Sequence, residues 1–384
     1  MVKNRKVKVA VIGCGRVAWL GFLPWIKRRK DTELCAVVDV DEELLGKTAK
    51  KFEARRKYTD WREALDESGA DAVCVLTPPW LHAELVIEAA ARGMHVLCEK
   101  PMASSVEDCR RMLEACEDAG VMLQIGFSLR FDPGYEKLKE IVKTGGIGEV
   151  FQMRSEYDVW VPDLNSSPFK EIVDLGGKLR VLGTPDMGAW RMTDERAGGG
   201  VYFDHGIHYT DLFSWILDDD VKTVFGAIRH VVPGRIHEDH ASAYLRFGCG
   251  TPAYIEASLA RWSARSEIDE GLINGSAGCL RYELDQSWYL RGYPHLYFTH
   301  ARVWKFGRAS LALGSWLPVR VESGPRVVMF RRQMDYFISR INGTFEPHPV
   351  FGDRWGADGR DGMNAIRVAC ALYESSEKGC SVDL

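Results

Sequence analysis

Short apolar runs alternate with longer amphipathic stretches through the first third of the chain. Val7-Lys8-Val9-Ala10-Val11-Ile12 is rich in β-branched residues and too short for a helix, which predicts a buried strand. Leu34-Cys35-Ala36-Val37-Val38, residues 70–76 and Met94-His95-Val96-Leu97-Cys98 predict three more of the same kind. Helical spacing separates them. One helix is expected to start near Glu42 with Asp41 as its cap, and another to run from Ala83 to Arg92 with Gly93 at the C′ position. Strands that are apolar throughout, joined by helices, imply a doubly wound α/β domain with a parallel sheet and right-handed crossovers.

Beyond Gly148 the pattern changes. Residues 150–154, 221–228, 243–247 and 253–259 alternate β-branched or aromatic residues with polar ones, which predicts a largely antiparallel sheet. Residues 333–341 read as an amphipathic helix, and Asp358-Gly359-Arg360-Asp361-Gly362 precedes another that reaches Tyr373. Residues 162–193, punctuated by Gly and Pro, are expected to be a functional loop or insertion near the substrate mouth. At 384 residues the chain exceeds what one core serves, so two domains are expected, 1–126 and 127–384.

Composition narrows the function. A formal net charge of -4 argues against a nucleic-acid binder, which would carry a basic stripe. The run Lys27-Arg28-Arg29-Lys30 follows an apolar helical segment and reads as a solvated helix end. No apolar run approaches the ~20 residues that span a bilayer. The N-terminus enters a strand without a cleavage pattern, so no membrane partner and a cytoplasmic location are expected. The ten cysteines include no C-x-x-C pair, and Cys109 and Cys116 lie two turns apart in an amphipathic helix. Reduced core thiols and no metal site are expected.

The first strand ends in Gly13-Cys14-Gly15-Arg16-Val17-Ala18. A strand, then G-x-G-x-x-A, then a helix is the setting of a Rossmann dinucleotide site. Gly13 permits the tight turn, Gly15 lets backbone approach a pyrophosphate, and Ala18 lets the helix pack closely. The helix N-terminus at Arg16 and Val17 presents N–H groups to phosphate. Asp39 ends the second strand, placed to accept from an adenine-ribose diol and to repel a 2′-phosphate, which favours NAD over NADP. Thr77-Pro78-Pro79-Trp80-Leu81-His82 and Glu99-Lys100-Pro101 follow the next two strands. Gly13, Asp39, Thr77 and Lys100 therefore all fall at the carboxyl ends of strands, where such sheets bind ligands. The Lys100–Pro101 bond is expected to be cis, as the lysine turns back over a nicotinamide. Further on, Gly198-Gly199-Gly200 leads to Asp204 and His208, four apart and so on one helix face, with His205 and Asp211 off that line.

Together, G-x-G-x-x-A, Thr77-Pro78-Pro79 with His82, Glu99-Lys100-Pro101 and the G-G-G…D-x-G-x-H-x-x-D run resemble the Gfo/Idh/MocA oxidoreductases. The resemblance implies a Rossmann domain followed by an α+β domain with a large open-faced, mostly antiparallel sheet. The free face of that sheet often serves oligomerisation, here a dimer or tetramer. Carried over, Lys100, Asp204 and His208 form the catalytic constellation. Glu99 is implied to bond nicotinamide-ribose hydroxyls, or to pair with a local cation. His82 contacts the cofactor or starts a helix. Arg130, in the crossover from one domain to the other, reaches substrate oxygens or an interdomain carboxylate. Tyr157, Trp160, Trp190 and Arg191 are candidates to line a sugar pocket, since aromatic faces and guanidinium forks suit polyhydroxylated rings.

The residue types fit alcohol oxidation. Loss of hydride leaves a proton on oxygen, which a base near neutrality such as His208 must take. An ammonium such as Lys100 stabilises the developing alkoxide. Asp204 bonds a neighbouring hydroxyl or orients the base. Three functions follow: an NAD-dependent sugar or cyclitol dehydrogenase, an NAD-dependent glycoside-cleaving enzyme acting by transient oxidation and elimination, or a non-catalytic NAD-binding regulator. A regulator has no use for the base, which favours an enzyme.

Overall fold

A computed structural model describes residues 5–159, 194–261, 267–285, 300–307, 315–321 and 328–384. Six parallel strands form the first sheet: β1 (Val7–Ile12), β2 (Thr32–Val38), β3 (Arg56–Tyr58), β4 (Ala72–Val75), β5 (His95–Cys98) and β6 (Leu123–Ile125), in the order β3-β2-β1-β4-β5-β6. The chain leaves β1 towards β2 on one side and returns to β4 on the other. A crevice therefore opens above the carboxyl ends of β1 and β4. All four strands expected from the apolar runs are present. Strands β3 and β6 add an edge on each side.

The helix after β1 opens with a π turn at Ala18–Phe22 and continues as α1 (Leu23–Arg28). Pro24, which has no N–H to give, stands in its first turn, where a widened turn avoids the clash of its ring with the preceding carbonyl. The basic run closes this helix. Lys27 donates to the Lys51 carbonyl and to Glu53, and Arg29 forks onto Asp31. Asp41 caps α2 (Glu42–Phe52) by accepting from the Glu43 and Leu44 amides. Next come α3 (Trp61–Glu67), α4 (His82–Ala91), α5 (Val106–Asp118) and α6 (Pro133–Lys143). Gly93 follows α4 at φ +73°, as its C′ position requires. Cys109 and Cys116 face the core from α5.

Nine strands form the second sheet: β7 (Val150–Val159), β8 (Val221–Arg229), β9 (His240–Phe247), β10 (Pro252–Ser258), β11 (Glu267–Gly275), β12 (Gly278–Asp285), β13 (His300–Phe306), β14 (Leu317–Val319) and β15 (Val382–Asp383). Their order is β14-β13-β12-β11-β7-β10-β9-β8-β15, antiparallel except for the β7–β10 pair. Strand alternation sorts the faces. Ala241, Ala243, Leu245 and Phe247 of β9 are buried, as are Ala253, Ile255 and Ala257 of β10, while Arg246 and Tyr254 point the other way and are exposed.

The helices α7 (Ile207–Leu217), α8 (Val328–Asn342) and α9 (Gly359–Lys378) complete the described α-helices. Helix α9 carries a capping box between Asp358 and Asp361. It lies between the two sheets. Its Gly362 is pressed against Met102 and Ile125 on one side, and its Leu372 against Gly226 of β8 on the other. Among the described residues no helix is long and apolar enough to cross a membrane.

Candidate active site

The turn after β1 is built around two glycines with different duties. Gly13 adopts φ +97°, and a Cβ there would stand 2.6 Å from the Leu76 carbonyl oxygen, so both backbone and space require glycine. At Gly15 a Cβ would meet no atom within 4 Å. The space above it is open, as a pyrophosphate lying on the loop needs. Arg16 and Val17 are half-buried at the start of the helix, and Ala18 is wholly buried against the sheet. Asp39 braces the loop, with one carboxylate oxygen accepting from the Cys14 amide at 2.7 Å and the other from the Asp41 amide at 3.0 Å. Across the crevice Pro78 is extended, and the Thr77 Oγ1 is buried with no hydrogen-bond partner among the described residues. A buried hydroxyl without a partner at the end of β4 and open space above Gly15 are both features that a dinucleotide would use. Gly13→Ala is expected to abolish NAD binding measurable by calorimetry at millimolar cofactor. Retained affinity would show that the turn does not carry the cofactor.

His82 takes the second of its expected places, as the first residue of α4, although no side-chain bond caps that helix. Its ring is 1% exposed, with Nδ1 3.0 Å from the Pro101 carbonyl oxygen and Nε2 2.8 Å from that of Thr77. Burial holds its pKa below the ordinary value, against the pull of those two carbonyls. It therefore joins the Thr77 turn to the Lys100–Pro101 turn from behind and offers no surface to a cofactor. The Lys100–Pro101 bond is cis. Glu99 is buried, accepts from the Lys100 amide at 3.2 Å, and leaves no room for a side chain at Gly126, whose Cβ would lie 2.9 Å from it.

Lys100 crosses to the second part of the chain. Its Nζ donates to Asp204 twice, to the carbonyl oxygen and to Oδ1, each at 2.6 Å. Asp204 lies in a π turn, Tyr202–Gly206, that leads directly into α7. The turn brings Asp204, His205 and His208 to the partly exposed side while Tyr202, Phe203, Gly206 and Ile207 are buried. His205, off the Asp204–His208 line by α-helical spacing, is also partly exposed in the wider turn, and its Nδ1 stands 3.3 Å from Asp204 Oδ2. The Asp204 carboxylate thus has Lys100 on one oxygen and His205 near the other. The His208 ring meets Phe127 edge-on, with centroids 5.7 Å apart. A small cleft of about 20 Å³ lies between Pro79 and Lys100 on one side and Gly199, Phe203 and Asp204 on the other.

Two substrate candidates take other places. Arg130 is 1% exposed and forks onto Asp211, with Nε 2.9 Å from Oδ2 and Nη2 2.6 Å from Oδ1, while Nη1 lies 3.2 Å from Asp361. Its charge is spent on an internal ion pair, so it does not reach a substrate. Tyr157 is 5% exposed and stacks under His205 with centroids 4.1 Å apart and planes at 13°, supporting the cleft rather than facing it. Trp160, Trp190, Arg191 and the 162–193 stretch lie outside the described residues.

Comparison with known proteins places this geometry. Residues 7–127 match the oxidoreductase family with an NAD-binding Rossmann fold, and residues 135–281 match the GFO/IDH/MocA C-terminal domain. The chain is 30% identical over 256 residues to a protein named myo-inositol 2-dehydrogenase from Thermotoga maritima, covering 66% of this chain and 68% of that one. It is 32% identical over 222 residues to 2,7-anhydro-N-acetylneuraminate hydratase from Escherichia coli, covering 56% of this chain and 52% of the other. A solved levoglucosan dehydrogenase, in complex with NADH and levoglucosan, superposes with a TM-score of 0.79 over 99% of both chains. At 20% identity that likeness speaks for the fold alone.

Proposed function

The chain belongs to the Gfo/Idh/MocA oxidoreductase family, and from that premise we propose an NAD-dependent dehydrogenase acting on a hydroxyl-bearing carbon of a sugar or cyclitol. The observation that carries the reading is the Lys100–Asp204 contact, which pairs an ammonium with a carboxylate that stands four residues before His208. Bound NAD would accept the hydride. Gly13, Gly15, Arg16 and Val17 hold its pyrophosphate, Asp39 its adenine ribose, and Thr77, Pro78 and Glu99 its nicotinamide end. Lys100 donates to the reacting hydroxyl oxygen and stabilises negative charge as it develops there. His208 takes the hydroxyl proton. Asp204 anchors Lys100 and orients the substrate through a neighbouring hydroxyl. Residues 1–126 form the cofactor domain and residues 127–384 the substrate domain, whose open sheet face pairs with further copies of the chain in the cytoplasm.

A screen of NAD reduction over monosaccharides, anhydrosugars, inositols and glycosides tests the activity. NADH formation with one class is expected, and none with any polyol would sink the proposal. The same site also fits transient oxidation followed by elimination, a reading that the hydratase among the relatives favours. Release of an aglycone without net NADH would select it. With Asp39 at the adenine ribose its charge would repel a 2′-phosphate, so NAD should bind at least ~10-fold tighter than NADP in a calorimetric titration, the scale of one lost charge-assisted pair. Equal or tighter NADP binding would refute the ribose role of Asp39.

A further inference from the structure

The segment that carries Asp204 and His208 has no cap of its own, since Val201, which precedes the π turn, makes no side-chain cap hydrogen bond. Its first amides are met instead by one residue from the loop between β8 and β9. Glu238 Oε2 accepts from the Gly200 amide at 2.8 Å, its backbone carbonyl from the Val201 amide at 3.0 Å, and Oε1 from the Tyr202 amide at 3.0 Å. Three successive amides at the head of the segment are thus satisfied by a single distant residue. The Tyr373 hydroxyl of α9 joins them, accepting from the Gly200 amide at 3.2 Å. Glu238 is 1% exposed. Burial raises its carboxyl pKa, and the hydrogen bonds from Tyr373, Tyr202 and Gly200 act against that rise.

The glycine run records the same contact. A Cβ on Gly200 would fall 1.9 Å from the Glu238 carbonyl oxygen, and one on Gly199 would fall 2.4 Å from the Tyr373 hydroxyl. Neither position tolerates a side chain while Glu238 and Tyr373 are in place. The Gly200 carbonyl in turn accepts from the Asp204 amide at 3.0 Å, so the residue that Glu238 grips is bonded directly to the one that holds Lys100. A carboxylate at this end also complements the partial positive charge of the exposed amides.

We propose that Glu238 is a positioning residue for the reaction: as a cap supplied from another element, it fixes the turn that sets Asp204 against Lys100 and aims His208 into the cleft. This rests on the dehydrogenase reading for what is being positioned. It acts through the turn and touches neither substrate nor cofactor.

Glu238→Gln preserves shape but turns an amino group towards one of the amides, and Tyr373→Phe removes only the supporting hydroxyl. In Glu238→Gln, kcat is expected to fall about 10–100-fold, the scale of a misplacement near 1 Å, with NAD affinity held within about 2-fold. Hydrogen exchange at the Gly200, Val201 and Tyr202 amides should speed up about 10-fold or more, while that of β1 stays unchanged. Tyr373→Phe should move kcat the same way by about 3-fold, and it carries the kinetic test alone if Glu238→Gln does not fold. An unchanged kcat in the folded Glu238→Gln protein overturns the proposal, as does a loss that appears equally in NAD affinity or amides that keep their protection. Wild-type protein that reduces no NAD would instead overturn the dehydrogenase reading, leaving the cap itself to be judged by the exchange rates.

Discussion

If His208 is the proposed base, removal of its imidazole is expected to cut kcat about 10²–10⁴-fold while NAD affinity stays nearly unchanged, because such a base acts on the substrate proton and lies outside the cofactor turn. Lys100→Ala should lose a comparable rate and also weaken NAD binding, since Lys100 follows β5 at the edge of the cofactor crevice. It leaves Asp204 without the cation that two contacts of 2.6 Å now supply. Asp204→Ala should raise KM if its main grip is on a substrate hydroxyl, and lower kcat if its main effect is through Lys100. The three losses should not add, since all act on one oxygen. The pH profile of kcat decides between the histidines. If His208 is the base, its variant loses the acidic limb while His205→Ala keeps it. A His208→Ala enzyme with normal rate and normal profile would move the proton transfer to Lys100 or to His205.

The parts of the molecule that sequence patterns reveal are those governed by local physics. Strand β1 is legible because a central parallel strand is apolar on both faces, and α2 because Asp41 caps it two and three residues ahead. Strand β3 is not legible. Arg56-Lys57-Tyr58 is short and largely exposed, and it is a strand only because Ala36, Val37 and Val38 of β2 offer it partners. His205 escaped for a geometric reason. Spacing arguments assume 3.6 residues per turn, and the π turn at Tyr202–Gly206 widens that where the chemistry is arranged. His82 was read by its neighbours in sequence, whereas two carbonyl oxygens decide which way its ring faces. Glu238 carries no local signal, because the amides it meets lie more than thirty residues away. The one trace is the need for glycine at Gly200, whose cause lies in that distant loop.

Arg130→Met is expected to destabilise the fold by about 3–5 kcal/mol, the usual cost of leaving a buried charge without its partner. Asp211 is 4% exposed and loses its bidentate contact, and Asp361 at the head of α9 loses a partner as well. The loss should depend on pH in a definite sense. Burial pushes the Asp211 carboxyl up to about 6 even with Arg130 beside it, so its protonated form is favoured in the folded state. A carboxyl raised in this way contributes stability that is fully present below its unfolded pKa of roughly 3.9 and is lost as pH rises through the folded value. Without Arg130 the folded value rises further, which extends that loss to higher pH. Asp361, which Arg130 helps hold below the usual range against burial, loses that support too. The deficit of Arg130→Met relative to wild type should therefore be smallest near pH 4–5 and largest at pH 8, read as the difference in urea midpoints. Adding Asp211→Leu should return part of the stability, since an apolar pair of similar volume then replaces the bidentate pair and only Asp361 is left without Arg130. A deficit that does not vary between pH 5 and 8 would show that lost packing of the Arg130 side chain, rather than the orphaned carboxylates, is what the substitution costs.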